Sequence, residues 1–215
     1  MLSSLCQYLR DLIYKNRRFI KPGNTVEISG CARKNMKKVT IKVGGRNNRL
    51  IVSPCVTLRN CEIRLDGENN LIELGANSRL SSGKIYLRNT RNQHIRIGVD
   101  TTIEGAYLLV DEAASIDIGQ DCMLSTDIIM RIGDKHSILN RYSKERVNGA
   151  QNIVIADRVW IGRDVQILKG VVLQPETIVG TRSLVTKAFD EGHCVVAGTP
   201  AKIVKRDVVW DRDLL

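Results

Sequence analysis

The stretch from Ile155 to Val185, IADRVWIGRDVQILKGVVLQPETIVGTRSLV, carries an aliphatic residue at every sixth position. Small or β-branched residues occupy a second set of positions, four residues after each of the first five: Val159, Val165, Val171, Thr177 and Ser183. A hexapeptide period is typical of a parallel β-helix, in which six residues form one flat side and three sides form one coil. The sequence therefore predicts that residues three hexapeptides apart stack, with Ile155 packed against Leu173 and Ile161 against Val179.

Fragments of the same repeat occur upstream and extend the predicted β-helix. They start at Leu74-Gly75, Ile97-Gly98 and Ile118-Gly119, with a weaker one at Val43-Gly44. About 150 repeat residues at about 18 per coil predict about eight coils. The chain has only two Trp, five Tyr and two Phe among 215 residues, which suits a narrow interior filled by aliphatic side chains. The predicted fold class is an all-β, parallel β-helix.

Three parts are predicted along the chain. Residues 1–40 form a basic N-terminal helix and lead-in, residues 41–205 the β-helix, and residues 206–215 a C-terminal tail. Helical spacing of apolar residues predicts an amphipathic helix over 1–20; these residues are Leu5, Tyr8, Leu9, Leu12 and Ile13. Residues 137–152, SILNRYSKERVNGAQN, break the repeat and are predicted as a loop extruded from one coil, where function is often located.

The charge implies an acidic partner. The formal net charge is +10, and residues 1–40 carry nine basic and two acidic side chains, a local excess of +7. A polyanionic glycan, a phosphate-rich cofactor, a membrane surface or a nucleic acid would fit this charge. Basic residues are not interleaved with aromatic ones, which argues against nucleic acid. The basic face of residues 1–20 is either a solvated face of a capping helix or a peripheral contact with a membrane.

Composition also limits the compartment and the chemistry. No apolar run approaches the length of a transmembrane helix, and the N-terminal segment lacks a signal-peptide core, so we expect a cytoplasmic protein, with peripheral contact at the inner membrane face as the alternative. Six cysteines without a CxxC pair favour reduced thiols over a zinc site. Content of 43% hydrophobic and 26% charged residues excludes general disorder.

Histidine is the natural general base for a hydroxyl group at neutral pH. The chain has three histidines, His94, His136 and His193, too far apart in sequence for the short spacing expected of a three-histidine metal site. His136 is in phase with Met130 and lies at the root of the predicted loop, where it would face a cleft. On this placement alone, a structural histidine is the alternative.

Several motifs occur in a characteristic order along the second half of the chain. They are Asp134-Lys135-His136-Ser137-Ile138, Arg146-Val147-Asn148, Val159-Trp160-Ile161-Gly162, Ile167-Leu168-Lys169-Gly170, Ala197-Gly198-Thr199-Pro200-Ala201-Lys202 and Trp210. This order resembles the hexapeptide-repeat acyltransferases, specifically the bacterial polysaccharide O-acetyltransferases, and most of all the capsular polysialic acid O-acetyltransferases. The resemblance is specific over residues 116–210 and is a matter of repeat rhythm over 41–115.

The resemblance implies a left-handed parallel β-helix and a homotrimer that binds acetyl-CoA in clefts between neighbouring prisms. His136 matches the catalytic histidine of the family, and Trp160 matches its tryptophan beside the thioester and the acceptor. Lys187 and Lys202 match positions that meet the CoA phosphates, with solvated surface charges as the alternative. The backbone amides along which pantetheine would run belong to the corner residues Gly162 and Gly180. For Trp160, packing between protomers is the alternative.

Three polar residues around the loop are candidate acceptor-binding residues: Asp134, Arg146 and Asn148. Asp134 would otherwise orient His136 or occupy a coil corner, and the other two would order the loop. Two features depart from the family pattern. Arg158 stands where histidine or asparagine is usual, and Gln174-Pro175-Glu176 replaces a corner that usually contains glycine.

The predicted function is O-acetyl transfer from acetyl-CoA to a hydroxyl of a capsular or O-antigen sugar, with His136 as general base and without a metal. A sialic or uronic acid polymer would fit the charge, with Arg141, Lys144 and Arg146 steering it electrostatically. One alternative is an acetyltransferase acting on a nucleotide-linked sugar or a small molecule. Another is a β-helix without activity that binds an anionic polymer.

Overall fold

A computed structural model describes residues 11–214 as a three-sided parallel β-helix. Within these residues, 24 strands form three sheets of eight, seven and nine strands, one on each side of the prism. Strands on successive coils pair in parallel, and only the last two strands pair antiparallel. The predicted architecture, an all-β, left-handed parallel β-helix, is confirmed.

Each side of the prism is built from every third strand. Side 1 consists of β1 (Arg17–Ile20), β4 (Thr40–Val43), β7 (Cys61–Glu68), β10 (Gly83–Arg91), β13 (Ala106–Val110), β16 (Ile128–Arg131), β19 (Gln166–Leu168) and β22 (Leu184–Val185). Side 2 consists of β2 (Thr25–Ile28), β5 (Arg49–Val52), β8 (Leu71–Leu74), β11 (His94–Ile97), β14 (Ile116–Ile118), β17 (Ile153–Ile155) and β20 (Val172–Leu173). Side 3 consists of β3 (Met36–Lys37), β6 (Thr57–Arg59), β9 (Arg79–Leu80), β12 (Thr102–Ile103), β15 (Met123–Leu124), β18 (Trp160–Ile161), β21 (Ile178–Val179), β23 (Cys194–Gly198) and β24 (Ala201–Arg206).

The C-terminal coils have the register that the hexapeptide period predicts. Ile155 pairs with Leu173, and Ile161 pairs with Val179, each partner lying three hexapeptides later in the chain. All eleven inward positions of the repeat between Ile155 and Val185 are buried. The narrow interior is therefore filled by one stacked side chain per position and coil, which explains the scarcity of aromatic residues.

The earlier coils are longer than predicted. Ile41 pairs with Ile63, and Leu50 pairs with Ile72, so a coil here takes more residues than three hexapeptides supply. The additional residues lengthen the strands of side 1, which reach eight residues in β7 and nine in β10, and the corner that follows them. The predicted spacing of three hexapeptides is therefore wrong for this half of the prism.

A buried asparagine stabilises the wider corner between sides 1 and 2. Asn70 donates through Nδ2 to the backbone oxygens of Asp66 and Thr90, at 3.0 and 2.9 Å. Its Oδ1 accepts from the backbone N–H of Gln93 at 3.0 Å, and its own N–H donates to Oδ1 of Asn48 one coil earlier, also at 3.0 Å. These bonds satisfy backbone groups that the wider corner leaves without a strand partner.

The β-helix begins at Arg17 rather than at residue 41. The N–H of Arg17 donates to the Val39 carbonyl at 2.8 Å, and β1, β2 and β3 pair with the next coil on all three sides. Of the helix predicted over 1–20, residues 11–13 are helical, residues 17–20 are β1, and residues 1–10 lie outside the described residues. Residues 17–20 pair with the next coil instead of continuing the helix, and the apolar residues whose spacing predicted it end at Ile13. A further short helix, Gly30–Lys34, lies in the first coil.

The predicted loop is confirmed, with an earlier start. Strand β16 ends at Arg131, the buried Ile132 follows, and the chain leaves the prism at Gly133 and returns at Ile153, so Ile116 pairs with Ile153 across the whole extruded segment. No helix in the described part of the chain is long and apolar enough to cross a membrane.

The five cysteines between residues 11 and 214 divide into two environments. Cys61, Cys122 and Cys194 are buried, and burial raises the pKa of the Cys61 and Cys122 thiols to about 11. Cys55, which the repeat would place in the core, is exposed beside Cys31, with 2.8 Å between the two Sγ atoms.

The asparagine contacts predict a large stability effect at a position without catalytic chemistry. Asn70→Ala should lower the free energy of unfolding by about 1–3 kcal/mol, because it leaves buried backbone N–H and C=O groups without hydrogen-bond partners. Denaturant unfolding followed by circular dichroism measures this loss. Asn69→Gly, at the exposed neighbour with φ 55°, should be nearly neutral. Equal effects of the two substitutions would contradict the role of Asn70.

Candidate functional site

The extruded loop is an ordered structure with its own backbone pairing. Leu139 and Arg146 form an antiparallel bridge, and the N–H of Val147 donates to the Ile138 carbonyl at 2.9 Å. Four large apolar side chains of the loop are exposed: Ile138, Leu139, Tyr142 and Val147. The described chain thus presents an apolar loop surface that its own prism does not cover.

Asn148 ties the two ends of the loop together. Its side chain is buried, and its Nδ2 donates to Oδ2 of Asp134 and to the backbone oxygen of His136, both at 2.8 Å. Its Oδ1 accepts from the Ile138 N–H at 2.8 Å and from Nε of Arg146 at 3.1 Å. All four hydrogen-bonding positions of the amide are thereby occupied, so its polar groups order the loop around His136.

Lys169 on the following coil holds the same root. Its Nζ forms an ion pair with Asp134 and donates to the Asn148 carbonyl at 3.1 Å. Lys169, and then the Asn148 amide, lower the pKa of the Asp134 carboxyl. Asp134 therefore stays ionised well below neutral pH, and its carboxylate is engaged by these two side chains.

Glu112 is a further residue of the network that the sequence did not reveal. Its Oε2 pairs with Nη1 of Arg146 at 2.7 Å, and this carboxylate raises the pKa of the Arg146 guanidinium. Arg146 also donates to the Asn148 side chain, so its guanidinium contacts both the preceding coil and the root of the loop. Glu112 lies on the preceding coil, and no short-range pattern links it to the loop.

His136 is exposed at the root of the loop. The repeat frame that led to it continues to Met130 and Ile132, both fully buried, and ends where the chain leaves the coil at Gly133. Its in-phase position is therefore not a repeat position. Its backbone is held by Asn148, while its imidazole faces outward from a fixed anchor, as a group that meets a substrate requires.

Trp160 occupies the outward position at the start of β18, with 38% of its surface exposed. Its ring contacts Trp210, with 6.3 Å between ring centroids and 49° between ring planes. His136 and Trp160 belong to the same coil but to different corners, one before side 2 and one after it. Strand β17 of side 2 lies between the loop root and Trp160 along this coil.

Gly162 and Gly180 stack on successive coils at the corner between sides 3 and 1. A Cβ at Gly162 would lie 2.8 Å from the Thr181 nitrogen, and one at Gly180 would lie 2.9 Å from Cβ of Ala197. The close approach of successive coils is thus sufficient to explain glycine at these two positions, independently of any ligand.

Lys187 and Lys202 line one open cavity of about 450 Å³ near the C-terminal end of the prism. Both side chains are exposed. Glu191 and Arg206 also border it and pair with each other at 2.9 Å. The structure thus places Lys187 and Lys202 on the same cavity, together with the carboxylates of Asp190 and Glu191.

The other two histidines lie elsewhere. His94 in β11 bonds to Asp117 through Nε2 at 2.9 Å, and His193 is an exposed corner residue with φ 49°. Between residues 11 and 214, no group of three or more His, Cys, Asp or Glu side chains is arranged to hold a metal ion.

Known proteins resemble this chain in sequence and in fold. The polysialic acid O-acetyltransferase of Neisseria meningitidis is 34% identical over 191 residues, 89% of this chain and 87% of that protein. The polysialic acid O-acetyltransferase of Escherichia coli O1:K1 is 38% identical over 123 residues, 57% of this chain, and the match spans 40% of that relative. The crystal structure of the polysialic-acid-specific acetyltransferase NeuO superimposes with a TM-score of 0.78 at 33% identity, covering 92% of this chain and 85% of the other. No family model matches the chain.

This hexapeptide β-helix carries an ordered loop with an exposed histidine. Its relatives are similar to it in sequence and in the β-helix fold. The identity to the meningococcal protein extends over most of both chains, and the NeuO likeness covers nearly the whole prism. The chain belongs to the hexapeptide-repeat O-acetyltransferase family, in the group of the polysialic acid O-acetyltransferases.

Proposed function

We propose that this protein transfers an acetyl group from acetyl-CoA to a hydroxyl of an acidic surface polysaccharide, of which polysialic acid is the leading candidate. Family membership supports the reaction class. The observation that carries the assignment of the site is the root of the loop, where Asn148 holds the backbone of His136 and leaves its ring facing outward. A fixed backbone places the exposed histidine where a general base could reach the proton of a bound hydroxyl.

In the proposed reaction, His136 accepts the proton of the sugar hydroxyl. The oxygen attacks the thioester carbonyl, the new ester bond forms, and the carbon–sulfur bond breaks. The proton held by the imidazole then passes to the leaving thiolate, so CoA departs as a thiol. Binding both substrates in one cleft supplies much of the rate by positioning.

The stacked corner between sides 3 and 1 supports a path for acetyl-CoA. Gly162, Gly180 and Ala197 follow one another on successive coils there, since Ile161, Val179 and Val196 pair in register. Ala197 also pairs with Lys202 on β24. A pantetheine arm along this corner would run from Trp160 towards the cavity lined by Lys187 and Lys202, where the phosphates would meet positive charge.

We further propose that the active site forms between two protomers of a homotrimer. His136 and Trp160 lie at opposite edges of side 2, so one protomer does not present both to one bound thioester. The exposed apolar residues of the loop, Ile138, Leu139, Tyr142 and Val147, suit packing against a neighbouring prism. A neighbour that covers the loop would bring its own Trp160 towards His136.

Unpaired positive charge supports an acidic acceptor. Lys34, Lys37, Lys38 and Arg59 line one cavity of about 520 Å³ at the N-terminal coils, and none of them forms an ion pair within residues 11–214. Residues 1–10 contain no Asp or Glu that would neutralise them. On the loop, Arg141 and Lys144 remain exposed, whereas Arg146 is paired with Glu112. Steering by these charges favours a polyanion.

Two alternatives keep the same fold. An acetyltransferase for a nucleotide-linked sugar or a small molecule would use the same base and donor site but would gain nothing from the unpaired N-terminal charges. A β-helix without activity that binds an anionic polymer would use those charges and need no acetyl-CoA.

The proposed base predicts a specific loss of activity. His136→Ala should lower thiol release from acetyl-CoA by about 10²–10⁴-fold, because the hydroxyl loses its proton acceptor. Thiol release is measured with a disulfide indicator in the presence of acidic capsular polysaccharides. His193→Asn, at the exposed corner histidine, is the matched control and should keep full activity. Unchanged turnover in His136→Ala would refute the assignment.

The same assay separates the acceptor classes. Acidic polymers should be used with a KM that rises with ionic strength, because salt screens the steering charges, and neutral sugars should be used poorly. Release only with a nucleotide-linked sugar or a small molecule would establish the first alternative. Polymer binding without any binding of acetyl-CoA would establish the second.

The shared site predicts complementation between protomers. His136→Ala and Trp160→Ala chains, each measurably impaired alone, should together exceed the mean of their separate activities after mixed refolding, because mixed trimers contain some intact sites. Specific activity against mixing ratio, with the oligomeric mass from light scattering, is the measurement. No recovery in a confirmed mixed trimer would mean that one protomer holds the complete site.

The loop network predicts a positioning role for Asn148. Asn148→Ala should lower kcat by about 10-fold or more and leave the KM for acetyl-CoA nearly unchanged, because a misplaced base loses rate rather than donor affinity. Hydrogen exchange at the Ile138 amide should quicken in the same variant. Ser143→Ala, which alters only the exposed part of the loop, should preserve both. A variant with altered exchange but wild-type kcat would contradict the role.

A further inference from the structure

The C-terminal segment 207–214 runs back along the corner between sides 2 and 3. Near its start, the N–H of Val208 donates to the His193 carbonyl at 3.0 Å. Near its end, Arg212 pairs with Asp121 at 3.0 Å and donates to Oγ1 of Thr102, also at 3.0 Å. The segment therefore crosses several successive coils and is attached at both ends.

Trp210 lies between these attachments and is almost fully buried, with 5% of its surface exposed. Its Nε1 donates to the Arg158 carbonyl at 2.7 Å, and Nη2 of Arg158 donates back to the Trp210 carbonyl at 3.0 Å. The guanidinium groups of Arg158 and Arg212 lie 5.2 and 5.6 Å from the ring centre. This ring is held by hydrogen bonds and by cation–π contacts.

Arg158 is itself fixed by two carboxylates. It pairs with Asp121 of the preceding coil at 2.6 Å and with Glu176 of the next coil. Arg158 and Glu176 both belong to the features that depart from the family pattern. Arg158 holds Trp210 directly, and Glu176 helps to fix Arg158. The corner between sides 2 and 3 thus forms the surface on which the C-terminal segment 207–214 packs.

Trp160 is the functional side chain that this arrangement reaches. Its ring lies against Trp210 with 6.3 Å between centroids, and 38% of its surface is exposed. We propose that Trp210 is a positioning residue that sets the orientation of the Trp160 ring, so that the tail forms part of the active site. The proposal rests on the proposed function, in which Trp160 lies beside the thioester.

The physical reason is that an exposed tryptophan ring has several rotamers of similar energy. An aromatic neighbour at this separation favours one orientation by about 0.5–1.5 kcal/mol. A Trp160 ring held in one rotamer would contact the reacting thioester in every molecule. A ring distributed over several rotamers would make this contact only in a fraction of them. Loss of the neighbour should therefore reduce catalysis by about two- to tenfold.

The chain has only two tryptophans, which permits a direct optical test. In Trp210→Phe and Trp210→Ala, Trp160 is the sole tryptophan. Acrylamide should quench its fluorescence more strongly in Trp210→Ala than in Trp210→Phe, because phenylalanine keeps an aromatic support. Equal quenching in the two variants would overturn the proposal, and this measurement requires no substrate.

Kinetics of the same variants test whether Trp210 acts through Trp160. Trp210→Ala should lower kcat/KM by about two- to tenfold, with partial rescue in Trp210→Phe. In a Trp160→Ala background, adding Trp210→Ala should cause no further loss. Equal losses in both backgrounds would show that Trp210 acts independently, for example through general stability, and would refute the positioning role.

Val209→Ala is the matched control, because Val209 is the exposed neighbour of Trp210 in the same segment. It should leave quenching and kcat/KM unchanged. Thermal unfolding of every variant shows whether it is still folded. If Trp210→Ala is unfolded, Trp210→Phe is compared with the wild type instead. Absence of thiol release by the wild type would refute the proposed function but not the contact between Trp160 and Trp210. The quenching comparison tests that contact without substrate.

Discussion

Stacking of aliphatic side chains between parallel coils is the interaction on which the rest of the structure depends. Each inward residue contacts its equivalents one coil away, and burying one such side chain contributes about 1.5–3 kcal/mol. Because the interior is narrow, a one-residue shift would turn a whole strand inside out. The inward positions are therefore kept on all three sides, and most variation lies at the corners and in the longer side 1 strands β7 and β10. The wide corners of the N-terminal coils, the extruded loop and the docked tail are all corner features.

The loop shows how function is added without disturbing this register. Met130 and Ile167 pair directly although the whole loop lies between them in sequence, so the prism continues as if the loop were absent. Within the loop, Asn148 uses both oxygen lone pairs and both N–H groups, and Lys169 anchors Asp134 from the next coil. Buried polar networks of this kind specify one geometry, because leaving any member unpaired is costly. His136 thereby gains a rigid anchor on a segment that has no core of its own.

The two aromatic side chains of the site are supported in a different way. Trp160 projects from a strand of the prism, while Trp210 comes from a segment that follows the last strand and returns across the coils. Arg158, the second residue before Trp160 in the chain, holds Trp210 through its backbone carbonyl and its guanidinium, and Asp121 and Glu176 fix that guanidinium. The prism edge and the C-terminal segment thus form one surface, placed at the far edge of side 2 from the loop. Separation of the base from this surface in one protomer is what makes a neighbour part of the proposed site.

The hexapeptide period by itself determined the fold class, the inward residues and the stacking of Ile155 on Leu173, because a short-range pattern encodes which side chains face the interior. The break in that pattern also located the loop, and the motif order identified the family. The start at Arg17, the longer N-terminal coils and the partners of Asn148, Asp134 and Arg158 were decided only by the tertiary structure. Strand pairing at the end coil depends on the next coil, so local spacing did not reveal that residues 17–20 form a strand. Glu112, Lys169 and Trp210 reach their partners across coils that are far apart in sequence, and such contacts exist only once the coils have stacked.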